Sequence, residues 1–87
     1  MTTETAADRI VEIITADLAS LSAVGCREEH NHQTIFGWSQ RIAGQIETVA
    51  VLLGRDNPTV ETLDIDLGRA IAQAVVNLYK RDRNIAA

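Results

Sequence analysis

The stretch IFGWSQRIAGQIETVAVLLG, residues 35–54, contains only two charged residues, Arg41 and Glu47, in twenty positions. At 100° per residue, its large aliphatic side chains fall on one side of a helix: Ile35, Ile42, Ile46, Val49 and Leu53. The opposite side is not polar either, because Gly37, Gly44 and Val51 form a row there with a spacing of seven residues. A helix with apolar residues on both sides is usually covered from more than one direction. We therefore interpret this stretch as the central helix of an all-helical protein.

The two glycines inside this helix require a packing reason. A glycine in the middle of a helix costs ~1 kcal/mol relative to alanine. The absence of a side chain, however, allows another backbone to come close. Gly37 and Gly44 therefore predict a close approach by another helix, and we assign them with Val51 to an oligomer interface.

A first helix is predicted over residues 5–24, with Thr5 as its N-cap. Its apolar residues recur on one side: Ala7, Ile10, Val11, Ile14, Leu18 and Leu21. Gly25 is expected to end the helix, since a continuation would place Glu28 and Glu29 on the core side without partners.

The remaining boundaries follow from local chemistry. The central helix is predicted over residues 33–54, with Asn31 as a candidate cap and Gly54 at its end. Asn57 can cap a third helix over residues 58–83, and Pro58 suits its first position. The main face of this helix is Val60, Leu63, Leu67, Ile71, Ala74 and Leu78. The pattern predicts an all-α fold in a single domain, residues 1–87, as a three-helix antiparallel bundle.

The third helix has a second apolar face, made of Ile65, Gly68, Ala72, Val76 and Tyr79. Two of the three helices thus carry more apolar surface than a three-helix monomer can cover. Contiguous apolar patches larger than a few hundred Å² are uncommon on monomers and usually mark an interface. We expect a homo-oligomer, with a symmetric dimer as the default arrangement.

Composition and charge narrow the class of protein. The 87 residues are 46% hydrophobic with one Phe, one Trp and one Tyr, which suits helix packing better than a strand-rich fold. A net charge of −4 argues against nucleic-acid binding, which needs clustered Lys and Arg. The N-terminal residues do not read as a secretory signal, and no apolar stretch approaches the ~18 residues that span a bilayer. We expect a cytoplasmic protein without membrane contact.

The connection between the first two helices contains Cys26, His30 and His32, all of which can bind zinc. Their spacing matches no common zinc signature, and a second ligand pair is missing from the sequence. Glu29 and His32 also have the E-x-x-H spacing of di-iron bundles, but those sites need two such motifs and two further Glu residues. The alternatives are a solvated polar connection, a metal site, or a pH-sensitive or ligand-contacting segment.

Two further groups of polar residues are candidates for ligand binding. Trp38, Arg41 and Gln45 share one flank of the central helix, where an aromatic plane beside a guanidinium can hold a planar or anionic ligand. Trp38 is equally explained as a packing residue. The third helix has a polar strip, expected to be a solvated face with an Asp66–Arg69 pair: Thr62, Asp66, Arg69, Gln73, Asn77 and Lys80.

No enzyme signature is present in the sequence. Phosphate-binding glycine loops, a G-x-S-x-G motif, an H-E-x-x-H motif and apolar-flanked acid pairs are all missing. Cys26 and His30 could be nucleophile and base, but no third group orients them. We expect a non-enzymatic protein without a cofactor, which binds itself and another protein as a regulator, inhibitor or assembly factor.

Two alternatives remain at the level of sequence. The first is a protein that binds a small ligand, such as a nucleotide or other anion, in pockets between subunits. Its candidate residues are Trp38, Arg41, Gln45, Arg69 and Tyr79. The second is a helical metal-binding protein that uses Cys26, His30 and His32.

Overall fold

The computed structural model describes residues 3–86 and contains three helices: α1 (Thr3–Ser22), α2 (His32–Leu53) and α3 (Pro58–Ala86). Each helix contacts the other two. Ser22 at the end of α1 lies beside Asn77 late in α3, while Val11 and Pro58 line one groove near the other end. α1 and α3 therefore run in the same direction, and α2 runs antiparallel to both. The predicted all-α bundle is confirmed.

The start of α1 differs from the prediction. The helix begins at Thr3, so Thr5 lies inside it and is not the N-cap. The helix ends at Ser22, two residues earlier than expected, and Gly25 follows with a positive φ of 100°. Such a φ favours glycine, which explains why the chain turns at this residue.

α2 spans His32–Leu53, one residue earlier at each end than the predicted 33–54, and it is capped by the predicted residues Asn31 and Gly54. The Oδ1 atom of Asn31 accepts hydrogen bonds from the backbone N–H groups of Gln33 and Thr34, at 2.9 and 3.1 Å. The Thr34 hydroxyl in turn accepts a hydrogen bond from the Asn31 N–H, which completes a capping box. At the other end, Gly54 has a φ of 95° and its N–H bonds to the carbonyl of Ala50.

α3 also begins as predicted. Asn57 Oδ1 accepts a hydrogen bond of 2.9 Å from the Thr59 N–H, and Pro58 is the first helical residue. The helix continues to Ala86, three residues beyond the predicted end.

The core follows the predicted faces, with three additional residues. The buried apolar residues are Ala7, Ile14, Leu21, Val24, Ile35, Ile42, Ile46, Val49, Ala50, Val60, Leu63, Ala70, Ala74 and Leu78. Val24, Ala50 and Ala70 are not on the predicted faces, but each is less than 5% exposed. No polar or charged residue with a described side chain belongs to the buried class. The core is thus aliphatic, without an aromatic residue among its fully buried members.

The predicted close contact at the α2 glycines is not made within the described residues. A Cβ atom added at Gly37, Gly44 or Gly68 would meet nothing within 4 Å, so no backbone of another element in residues 3–86 packs against them. The close approach occurs at Gly25, where a Cβ would lie 2.9 Å from the carbonyl oxygen of Ala74. The described residues of this chain thus leave Gly37 and Gly44 open to contact.

Within residues 3–86, none of the helices combines the length and the apolar character that crossing a membrane requires.

Candidate functional site

The second apolar face of α3 lies on the surface of the molecule. We call it the α3 stripe, made of Ile65, Gly68, Ala72, Val75, Val76 and Tyr79. Ile65 is 49% exposed, Val76 is 42% exposed and Tyr79 is 61% exposed, so the described part of the chain leaves this face uncovered. Val75 is the one member that the sequence analysis missed, although it lies three residues after Ala72 on the same side of the helix.

α2 carries a second outward apolar surface. We call it the α2 outer row, made of Phe36, Gly37, Gly44 and Val51. Phe36 is 65% exposed and Val51 is 77% exposed. Because the two glycines have no neighbour above them, this row is accessible to another helix.

The predicted flank of α2 forms a polar cluster with a residue of α1. The guanidinium carbon of Arg41 lies 5.4 Å from the centroid of the Trp38 ring, within range of a cation–π interaction. The Nε atom of Arg41 is 3.4 Å from Asp17 Oδ2, and the Gln45 side-chain amide donates a 3.0 Å hydrogen bond to the same oxygen. We call these four residues the Trp38 cluster. The helical pattern of α1 gives no sign of the role of Asp17, because its partners are on another helix.

The charges of the Trp38 cluster limit what it can bind. A shallow depression of about 280 Å³ lies beside it, lined by Gln33, Thr34, Gly37, Trp38 and Arg41. The Arg41 side chain is 61% exposed and can reach a ligand, but the Asp17 carboxylate already offsets part of its charge. The indole face and the guanidinium together suit a planar anion better than a compact one.

The five predicted ligand residues are not brought together in one chain. Arg69 lies on the other side of the bundle, where it lines a groove between α1 and α3 with Thr15, Leu18 and Asp66. Tyr79 belongs to the α3 stripe. A pocket that contains all five residues would therefore need more than one subunit.

The connection between α1 and α2 is fixed to the bundle and is not a free polar loop. His30 Nδ1 accepts a 2.9 Å hydrogen bond from the Gly25 N–H. The guanidinium of Arg81 on α3 donates to the carbonyl oxygens of Arg27 and His30. One ring nitrogen of His30 thus already has a structural hydrogen bond, which requires the tautomer with the proton on Nε2.

A metal site is not assembled in this connection. Cys26 and His32 are exposed, and in the described part of the chain no three His, Cys, Asp or Glu side chains are grouped to hold a metal ion. A site made of Cys26, His30 and His32 would require a rearrangement that releases the His30 hydrogen bond.

The polar strip of α3 is not uniformly solvated. Asn77 was expected on this solvated face, but it is half-buried and its amide donates hydrogen bonds to the carbonyl oxygens of Ser22 and Val24. The predicted Asp66–Arg69 pair is not among the ion pairs of residues 3–86. Asp66 is also half-buried, while Thr62, Arg69, Gln73 and Lys80 are exposed as expected.

In comparisons with protein-family models, with curated proteins and with solved structures, the chain has no significant match.

Proposed function

We propose that the protein is a non-enzymatic homo-oligomer that acts by binding another protein, as a regulator, inhibitor or assembly factor. The observation that carries this proposal is the number of large apolar side chains at the surface. In the described residues these are Ile13, Phe36, Val51, Ile65, Val75, Val76 and Tyr79. A cytoplasmic location is part of the same proposal.

The physical reason is the favourable free energy of removing these apolar side chains from water. Burying a Val, Ile or Phe side chain completely is worth about 1.5–3 kcal/mol. Phe36 and Val51 are each more than half exposed, so most of this free energy is still available on association. Since Ile65, Val75, Val76 and Tyr79 share one side of α3, another helix can bury several of them at once.

We assign the two faces to different contacts. The α3 stripe runs along a helix of 29 residues and suits self-association. The α2 outer row has only two large exposed side chains, Phe36 and Val51, and has Glu47 beside it. We therefore assign it to the partner protein or to a further subunit contact.

Sedimentation equilibrium of the full chain tests the self-association. The wild type should be oligomeric, with a dissociation constant between about 1 µM and about 1 mM. Ala72→Glu places a carboxylate in the middle of the α3 stripe and should shift the protein to monomer. Thr62→Glu adds the same charge on the exposed polar strip and should leave the oligomer intact. A wild type that stays monomeric at millimolar concentration would refute the proposal.

Affinity capture with a double variant tests the binding of a partner protein. Phe36→Ser with Val51→Asp changes two exposed side chains of the α2 outer row, so the bundle should keep its stability. A specific partner should be retained by the wild type and by Thr62→Glu but lost with the double variant. Equal capture by all three proteins would exclude the α2 outer row as the partner surface.

The Trp38 cluster supports a second candidate function, the binding of a small planar anion. Trp38 is the single tryptophan, so its fluorescence reports on this site without interference. Titration with ATP and with inorganic phosphate should change the emission only if the depression binds them. Arg41→Ala should abolish a genuine response. No response of the wild type at millimolar ligand would leave protein binding as the function.

A further inference from the structure

We infer that the partner of the α3 stripe is a second copy of this chain, packed antiparallel to the first around a two-fold axis at Ala72. The inference rests on the self-association in the proposed function and specifies its geometry. It is carried by the spacing of the stripe and by the two charged residues at its ends.

The stripe has the spacing of a helix–helix contact. Ile65, Gly68, Ala72, Val75 and Tyr79 follow one another at alternating intervals of three and four residues. This is the interval at which one helix presents a continuous seam to another. Together with Val76, these residues occupy about 100° of the helix surface, which matches the width of an apolar stripe that faces another element.

A charged residue of opposite sign lies beyond each end of the stripe. Glu61 precedes Ile65 by four residues, and Arg83 follows Tyr79 by four residues, so both lie in the same row as the apolar side chains. Both residues are exposed. The Arg83 guanidinium lies 5.6 Å from the centroid of the Tyr79 ring, which directs it along the stripe.

These charges distinguish the two possible directions of a helix pair. In an antiparallel pair, Glu61 of each copy faces Arg83 of the other, and the symmetry generates this contact twice. In a parallel pair, Glu61 faces Glu61 and Arg83 faces Arg83, so both ends are repulsive. Among residues 5–83, whose side chains the structure describes, the ion pairs do not include Glu61 or Arg83, so both charges are available to a second copy.

The stripe is also centred for this arrangement. Glu61 and Arg83 are equidistant in sequence from Ala72, and so are Ile65 and Tyr79, while Gly68 has its counterpart at Val76. An antiparallel pair centred on Ala72 therefore places a small residue opposite a large one at Gly68 and Val76. At the centre the two alanines face each other, which permits an interaxial distance near the short end of the usual ~8–10 Å. The contact is the same on both copies, as a two-fold axis requires.

Charge reversal tests the direction of the pair in the full chain. Glu61→Arg and Arg83→Glu each replace two attractive contacts per dimer by two repulsive ones in the antiparallel arrangement. At low salt, each single variant should raise the dimer dissociation constant by about tenfold. The double variant Glu61→Arg with Arg83→Glu should restore it to within about twofold, since the charges are exchanged but still opposite.

The outcomes separate the inference from the proposed function. A wild type that remains monomeric at millimolar concentration overturns both. A dimer whose dissociation constant is unchanged by either single reversal overturns the antiparallel arrangement and leaves self-association in place. Far-UV circular dichroism of each variant verifies the fold, which these exposed positions should not alter.

Disulfide trapping gives an independent readout. In a Cys26→Ser background, a Glu61→Cys chain is mixed with a tagged Arg83→Cys chain and oxidised. The antiparallel pair predicts a disulfide between the two different chains, because the Cα atoms must come within about 7 Å. Disulfides between two Glu61→Cys chains, or between two Arg83→Cys chains, would indicate a parallel pair and overturn the inference. Lys80→Cys, on the exposed polar strip, serves as the control that should not cross-link to Glu61→Cys.

Discussion

The side-chain amide of Asn77 donates a hydrogen bond of 2.8 Å to the carbonyl oxygen of Ser22, the last residue of α1. A second hydrogen bond of 3.0 Å connects the same amide to the carbonyl of Val24. Gln73 donates to Asn77 Oδ1 at 2.9 Å and so orients the amide with its N–H groups toward α1. The last carbonyl groups of a helix have no partner within it. α3 therefore caps the C-terminus of α1 through a tertiary contact.

Asn77→Ala should destabilise the bundle. The substitution removes both hydrogen bonds and leaves partly buried carbonyl groups without these partners, which costs on the order of 1–3 kcal/mol. The free energy of unfolding in urea, measured by circular dichroism, provides the test. Lys80→Ala changes a neighbouring exposed residue of the same helix and should alter this free energy by less than about 0.5 kcal/mol. Equal effects of the two substitutions would show that the cap contributes nothing.

Gly25→Ala should be strongly destabilising, whereas Gly44→Ala should not. At Gly25 the φ of 100° is unfavourable for alanine, and the new Cβ would lie 2.9 Å from the backbone of α3. The backbone strain alone amounts to about 1–3 kcal/mol. At Gly44 the new methyl group meets nothing within 4 Å, so within one chain the gain in helix propensity of up to ~1 kcal/mol should appear.

The measurement is thermal or urea unfolding of both variants at low protein concentration. The same measurement is then made at high protein concentration. If Gly44→Ala lowers the stability only at high concentration, a helix of another subunit lies over the α2 outer row. A Gly25→Ala protein as stable as the wild type would contradict the close approach of the turn to α3.

The features that the sequence predicted correctly are determined locally. Asn31, Gly54 and Asn57 end or begin helices through bonds to residues within four positions, and the apolar periodicity placed most of the core. The predicted cap at Thr5 was wrong because the helix already begins at Thr3.

The features that the sequence did not predict depend on contacts between helices. Asp17 and Asn77 look like surface residues in the helical pattern, and only the neighbouring helix supplies their partners. The glycines show the same limitation. Their spacing in α2 indicated a close contact, but the contact within the chain is made by Gly25, whose neighbours are about fifty residues away in sequence. The sequence predicted the three members of the Trp38 cluster that lie on α2, but not Asp17 on α1.

His30 should contribute to stability through its Nδ1 atom and not through a metal ion. His30→Ala removes the acceptor of the buried Gly25 N–H and should cost about 1–3 kcal/mol. Asn at this position can place its Oδ1 atom near the position of Nδ1, so His30→Asn should recover most of the loss. His32→Ala changes an exposed side chain and is the control.

Urea unfolding with and without a chelator distinguishes the two explanations. If His30 acts through a hydrogen bond, the stability should decrease from the wild type to His30→Asn and further to His30→Ala. EDTA should not change the stability of any of the three proteins. If EDTA lowered the wild-type stability and both His30 and His32 substitutions removed that effect, a metal site would be present instead.

Asp17 should be the residue of the Trp38 cluster that matters most for stability. Its side chain is 13% exposed and accepts from Gln45 while it also faces Arg41. Asp17→Ala leaves the half-buried Gln45 amide without its acceptor, at a cost of about 1–3 kcal/mol. Arg41→Ala removes a partner that is 61% exposed, so its effect on stability should stay within about 0.5 kcal/mol.

The fluorescence of Trp38 distinguishes a local change at the indole ring from a change in the stability of the bundle. Arg41→Ala removes the cation from the indole face and should change the emission of the folded protein while leaving the unfolding midpoint almost unchanged. Asp17→Ala should lower the midpoint in urea. Glu12→Ala, at an exposed position of the same helix, should change neither quantity. If Arg41→Ala lowered the midpoint as much as Asp17→Ala did, the ion pair rather than the Gln45 hydrogen bond would hold α1 and α2 together at this point.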